Sequence, residues 1–179
     1  DPQTEFHPIC TQIHGIMPTD VRGKPTFAEV LPTCVSYLTD YIVVAHNAVF
    51  DISALERAIF NAGLDPISVD YFCSLTCAKK VFPHMPCYKL NYLCDTFSIP
   101  LHHHDALADA RACGEIILRA AEQIHASSIW ELACLTGTNI HNTLTNTYDP
   151  CNALSRKTQL VTFQHDTDRC IDPSTVCFS

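Results

Sequence analysis

Two short stretches carry side chains suited to chemistry: His46-Asn47-Ala48-Val49-Phe50-Asp51 and His104-Asp105-Ala106-Leu107-Ala108-Asp109. Each sets a carboxylate five residues after a histidine, where an apolar element meets a helix. Oxygen ligands and a titratable imidazole can then converge on one cleft, an arrangement that suits metal-assisted hydrolysis of a phosphodiester. Hard Mg²⁺ or Mn²⁺ prefers carboxylate oxygen, and a histidine tuned near neutrality can accept the proton of an attacking water. Simpler roles compete at each position. His46 can merely hydrogen-bond backbone carbonyls, Asn47 can cap the helix that follows, and Asp51 and Asp109 can offset a helix macrodipole. His102 and His103 lack the offset to a carboxylate and read as polar loop.

The elements that must position these groups follow from periodicity. Ile42-Val43-Val44-Ala45 is a continuously apolar, β-branched run, which predicts a strand buried on both faces that delivers His46 to Asp51 at its carboxyl end. From Asp51 the spacing turns helical, with Ile52, Leu55, Ile59 and Ala62 on one stripe and Gly63 at the C-terminal stop. Strand followed at once by helix is half of a βαβ unit. A second strand is expected over Val69–Ser74, then helices over Ala78–Phe82 and Lys89–Phe97. The longest helical pattern runs from Asp105 to His125 and places His104 and Asp109 about one turn apart on the same side.

Upstream, Pro2, Pro8, Gly15, Pro18 and Gly23 break any long element before a helix opens at Thr26, whose third successor Glu29 completes a capping box. Pro32 falls early enough in that helix to predict a kink rather than a break. Downstream, a short helix is expected over Trp130–Leu135, a loop over 137–155 and a strand over Leu160–Phe163. Asp166 and Asp168 read as solvated carboxylates of a polar tail.

Composition bounds the rest. A chain of 179 residues with 47% apolar content can bury one substantial core. No apolar run approaches the length of a membrane span and no secretory leader opens the sequence, so the expectation is a soluble, cytoplasmic protein. The 11 cysteines are scattered without a C-x-x-C pair, which predicts reduced, mostly buried thiols and no structural zinc. A formal charge of −8 argues against gripping nucleic acid by a basic surface, but an acidic cleft loaded with divalent cations reverses its own sign and can still clamp phosphate.

The two acidic stretches, together with Tyr88-Lys89-Leu90-Asn91 between them and Ile13-His14-Gly15-Ile16 with Phe27-Ala28-Glu29-Val30 ahead of them, resemble the ordered motifs of the DEDDh exonucleases. The likeness is closest to proteins similar to the proofreading epsilon subunit of bacterial DNA polymerase III, and it extends from about Asp1 to Gln123. What the resemblance implies is removal of nucleotides in the 3′-to-5′ direction from a nucleic-acid end, single-stranded DNA first, by two ions of Mg²⁺ or Mn²⁺. Asp109 would bind the ion that holds the water, Asp51 would serve the second ion, and His104 would act as general base. His14, Asn47 and Phe50 would contact the terminal nucleotide. A polymerase or other protein is the implied partner.

The family's first motif, Asp-x-Glu on an opening strand, does not occur in these residues. The expected architecture is therefore α/β, a ribonuclease H-like exonuclease fold incomplete at its N-terminus, with the first three strands absent. An exonuclease-like domain is expected over 1–125, followed by an extension over 126–179. Two carboxylates cannot hold a pair of divalent ions close together against their mutual repulsion, so little turnover is expected from these residues alone. Two alternatives stand beside this reading: a non-catalytic exonuclease-like module that binds a partner through an exposed sheet edge, and an exonuclease acting on RNA.

Overall fold

The computed structural model describes residues 1–101 and 105–145. Two short helices, α1 (Pro8–His14) and α2 (Pro18–Val21), occupy the proline- and glycine-punctuated opening. Gly15 ends α1 at φ 72°, a left-handed conformation that a side chain would resist. Helix α3 (Phe27–Thr39) opens on the expected capping box: Thr26 Oγ1 accepts the Glu29 amide at 3.4 Å, and the Glu29 carboxylate accepts the Thr26 amide at 2.7 Å. Pro32 lies inside α3 without ending it, because its position in the second turn removes only a single backbone donor.

Strand β1 (Ile42–Ala45) leads into α4 (Ala48–Asn61) and then β2 (Asp70–Cys73), and the two strands pair in parallel with Ala45 opposite Cys73. This completes the βαβ unit implied by the change from strand to helix spacing. All four residues of β1 are half-buried rather than buried on both faces, since among the described residues β1 is an edge strand in the order β1-β2-β3. Helix α4 begins three residues earlier than its apolar stripe suggests, because Asn47 turns the chain at once through φ 68° and ψ 48°.

The remaining helices are α5 (Ser74–Val81), α6 (Leu90–Phe97), α7 (Ala106–Ile124) and α8 (Ile129–Thr136). Strand β3 (His141–Asn142) pairs antiparallel with β2, inside the stretch expected to be loop. Its polar composition hides it. Asn142 Nδ2 donates to Asp70 Oδ1 at 2.7 Å and to Ser68 Oγ at 2.9 Å, and Thr143 Oγ1 donates to the Ile67 carbonyl at 2.6 Å. Side-chain hydrogen bonds therefore tie this strand where apolar alternation would normally do so.

Helix α7 is the central post. Its Ile117 and Ala120 pack with Phe72, Leu132 and Ile140, while its Ala112 and Ile116 pack with Ala78, Leu93 and Cys94. A third cluster, Leu31, Cys34 and Ile59, joins α3 to α4. Each large side chain so buried contributes about 1.5–3 kcal/mol, enough to fix α7 between the sheet and the outer helices. Among the described residues seven cysteines are free thiols, as expected, but Cys134 is disulfide-bonded and departs from that reading. No helix among the described residues is long and apolar enough to cross a membrane. The expected strand over Leu160–Phe163, together with Asp166 and Asp168, lies outside the described residues.

Candidate active site

The site is built where the parallel strands end. Chain leaving β1 becomes His46 and the left-handed Asn47, and chain leaving β2 becomes Ser74 at the start of α5. Carboxyl ends of parallel strands are where α/β proteins place ligands, since loops and helix N-termini converge there. Asn47 occupies the N-cap position of α4 as expected, but its side chain makes no cap hydrogen bond. Its contribution is the backbone turn, since asparagine tolerates the left-handed region better than most residues do.

Asp51 lies in the first turn of α4 with an exposed side chain, and Asp109 lies in the first turn of α7, half-buried. Asp105 caps α7 by accepting the Ala108 amide at 2.8 Å, so the capping role belongs to Asp105 and leaves Asp109 for other work. Cys113 falls one turn after Asp109, on the same face of α7. Burial pushes its thiol up to about 12, and the charges of Asp51 and Asp109 add smaller contributions to that rise. Asp109 also raises the Cys94 thiol, behind desolvation and the charge of Asp95. Two carboxylates from helices far apart in sequence thus bear on one thiol.

Desolvation raises the Asp51 carboxyl above its usual range, opposed by a backbone hydrogen bond and by His46. The His46 imidazole is pushed the other way. Desolvation lowers it, against the pull of the Tyr88 carbonyl and the Asp51 charge. Its Nε2 lies 2.8 Å from the Tyr88 carbonyl oxygen and its Nδ1 lies 2.9 Å from Ser74 Oγ. The backbone-satisfying role weighed for His46 is therefore the one it fills.

Phe50 is 74% exposed and Val49 66% exposed, so the residues preceding Asp51 present an apolar surface to solvent instead of joining the core. His14 sits in the last turn of α1, where its Nδ1 accepts the Ile16 amide at 3.0 Å, the turn-satisfying role open to it. His102, His103 and His104 lie outside the described residues. Among the described residues no group of three His, Cys, Asp or Glu side chains is placed to hold a metal ion.

Three contributors were not singled out from sequence. Ser74 is fully buried and Cys113 nearly so, and both read in the sequence as ordinary strand-end and helix-core residues. The signal for Cys113 was its four-residue spacing from Asp109. Cys73 is the third. Burial would raise its thiol, but the Thr76 hydroxyl and amide with the amides of Ala48 and Asn47 hold it below the usual thiol value.

Comparisons with known proteins bear on the family and the fold. A family model for the RNase T group, described as exonuclease, matches residues 1–117. The chain is 30% identical over 130 residues to a DNA polymerase III of PolC type from Caldanaerobacter subterraneus, covering 72% of this chain and 9% of that protein. It is 33% identical over 134 residues to the PolC-type DNA polymerase III of Thermotoga maritima, covering 74% of this chain and 10% of that protein. The chain therefore spans about a tenth of the length of these relatives. Among solved structures, that of Exonuclease X in complex with 5′ overhanging duplex DNA superposes with a TM-score of 0.57 at 24% identity, covering 75% of this chain and 76% of that one. That likeness bears on the fold, which is α/β and ribonuclease H-like. With two thirds of its length matched by one family model, the chain belongs to the RNase T exonuclease family, the group that its ordered motifs resemble.

Proposed function

We propose that this chain carries part of the active site of a 3′-to-5′ exonuclease that shortens single-stranded DNA ends with Mg²⁺ or Mn²⁺. The observation that supports the reading is that Asp51 and Asp109 each stand in the first turn of a helix, α4 and α7, and that both helices pack against β1. By donor chemistry the pair fits a hard divalent cation better than a soft one. Bound there, such ions would supply an activated water and charge stabilisation at the scissile phosphate.

The chain's own residues do the rest. Asp109, half-buried at the start of α7, and Asp51, at the start of α4, would hold the ions. Desolvation raises the Asp51 carboxyl from its ordinary value, a shift that the charge of a bound cation would oppose. His104, one turn ahead of Asp109 in sequence, would take the proton from the water. The exposed Phe50 would stack on the terminal nucleotide, with Asn47 and His14 as further contacts. Matches to PolC-type polymerases make a polymerase the proposed partner in replication or repair, and RNA a competing substrate.

A second reading has its own support. Among the described residues β1 is an edge strand, which suits a non-catalytic module docked to a partner through that edge. Digestion of 3′-labelled single strands by the full-length protein separates the two. Release of mononucleotides that requires Mg²⁺ or Mn²⁺ and disappears in Asp109→Asn supports the enzyme; cleavage equal in parent and variant, or none with binding retained, removes it. Running DNA and RNA strands of one sequence side by side decides between the two sugars.

A further inference from the structure

His46 is held on both ring nitrogens, and the partners come from segments distant in sequence. A carbonyl can only accept, so the 2.8 Å approach of Nε2 to the Tyr88 oxygen requires Nε2 to carry a proton. In the neutral ring Nδ1 is then an acceptor for the single Ser74 hydroxyl proton, 2.9 Å away, for which the Ala45 carbonyl at 3.3 Å is the more distant competing acceptor. Tyr88 is braced in turn by its own hydroxyl, which donates to the Phe82 carbonyl at 2.5 Å. On the other side, β1, which leads into His46, and α5, which opens at Ser74, both pack against α7. Ser74 is fully buried, so its bond to His46 lies where water does not compete for it.

Helices α1, α3, α7 and α8 are capped by the side chains of His7, Thr26, Asp105 and Ser128, whereas α4, like α5 and α6, has no side-chain cap, and Asn47 at its start sits in a left-handed conformation. The residue before that turn is His46, and Asp51 follows in the first turn of the helix. Cys113, buried on α7, is one turn from Asp109.

We infer that His46 is a positioning residue for the carboxylate pair: through Ser74 and the Tyr88 carbonyl it fixes the opening of α4, and with it Asp51, against α7, which bears Asp109 and on which β1 and α5 pack. The consequence for catalysis rests on the exonuclease reading above; the mechanical linkage does not. Glutamine can place an amide N–H near the position of Nε2, while asparagine is too short to reach the Tyr88 carbonyl. The experiment compares His46→Gln, His46→Asn and His46→Ala in the full-length protein, recording kcat and KM on a single-stranded 3′ end and the Mn²⁺ concentration for half-maximal rate. A misplaced reacting group costs on the order of 10–100-fold, so the expected result is a kcat loss of about that size in the Asn and Ala variants with KM for the strand unchanged. The Mn²⁺ requirement should rise in both, and the Gln variant should recover most of each.

Equal rates in the Gln and Ala variants, or a loss confined to KM, would overturn the inference. If the parent digests nothing, the exonuclease reading fails while the linkage is still read from amide exchange. Faster exchange over 47–51 and 110–113 in the Ala variant but not in the Gln variant supports it, and unchanged exchange in both refutes it. A ring shown by nitrogen-15 spectra to carry its proton on Nδ1 instead of Nε2 also refutes it.

Discussion

His46 Nε2 lies 2.8 Å from the carbonyl oxygen of Tyr88, a residue 42 positions further along the chain. The contact joins the end of β1 to the segment entering α6, and it forces the imidazole to be a donor at that nitrogen. Burial agrees with this by lowering the ring's affinity for a second proton. A histidine depressed in the folded state contributes stability that is fully present above its unfolded value of about 6.5 and is lost as pH falls toward the folded value. Melting temperatures of the parent should therefore drop between neutrality and pH 5 more steeply than those of His46→Gln, as followed by circular dichroism. Parallel curves would contradict the neutral, doubly bonded ring.

The acid and the proposed base should be separable from the fold. Asp109→Asn and His104→Ala are each expected to lower Mg²⁺-dependent digestion of a 3′ single strand by about 10²–10⁴-fold, the range spanned by general acid–base contributions. Asp109→Asn should leave the cap of α7 in place, since Asp105 and not Asp109 supplies it. Rates and melts measured together check this; two variants that digest at the parent's rate would remove both residues from the site.

Phe50 and Phe72 give opposite forecasts. Phe72 is fully buried between α7, α8 and the sheet, and truncation to alanine should destabilise by about 3–5 kcal/mol. Phe50 is 74% exposed, so Phe50→Ala should stay within about 0.5 kcal/mol of the parent. Loss of one base-stacking contact, worth about 1–3 kcal/mol, should instead raise its KM for single strands. Denaturant titration with steady-state kinetics distinguishes the two effects.

The capping box of α3 offers a check on local stability away from the site. Thr26→Ala removes the acceptor for the Glu29 amide and should cost about 1 kcal/mol in a urea titration. Glu29 is held below its usual carboxylate range by the backbone and side chain of Thr26, so Glu29→Gln should forfeit part of the same stabilisation at neutral pH.

Elements with a strong period were legible in the sequence. The apolar run Ile42–Ala45, the stripe from Ile52 to Ile59 and the long pattern after Asp105 all emerge as β1, α4 and α7. What escaped was held by polar or backbone means. Strand β3 depends on Asn142 and Thr143 side-chain bonds that no hydrophobic pattern reports, and α4 begins early because Asn47 turns left-handed without capping. In the site, Asp51 and Asp109 were visible as acids at helix starts. Ser74 and Cys113 were not, because burial made them look like core and their partners come from distant segments.

The claim on which the rest depends is that Asp51 and Asp109 serve one metal centre. A crystal structure of the full-length protein grown with Mn²⁺ tests it directly through the anomalous signal of the ion. The account predicts manganese bound by both carboxylates, as one shared ion or a pair about 3.5–4 Å apart, with Cys113 behind them. Manganese held elsewhere, or carboxylates of Asp51 and Asp109 turned to separate regions of the molecule, would contradict it.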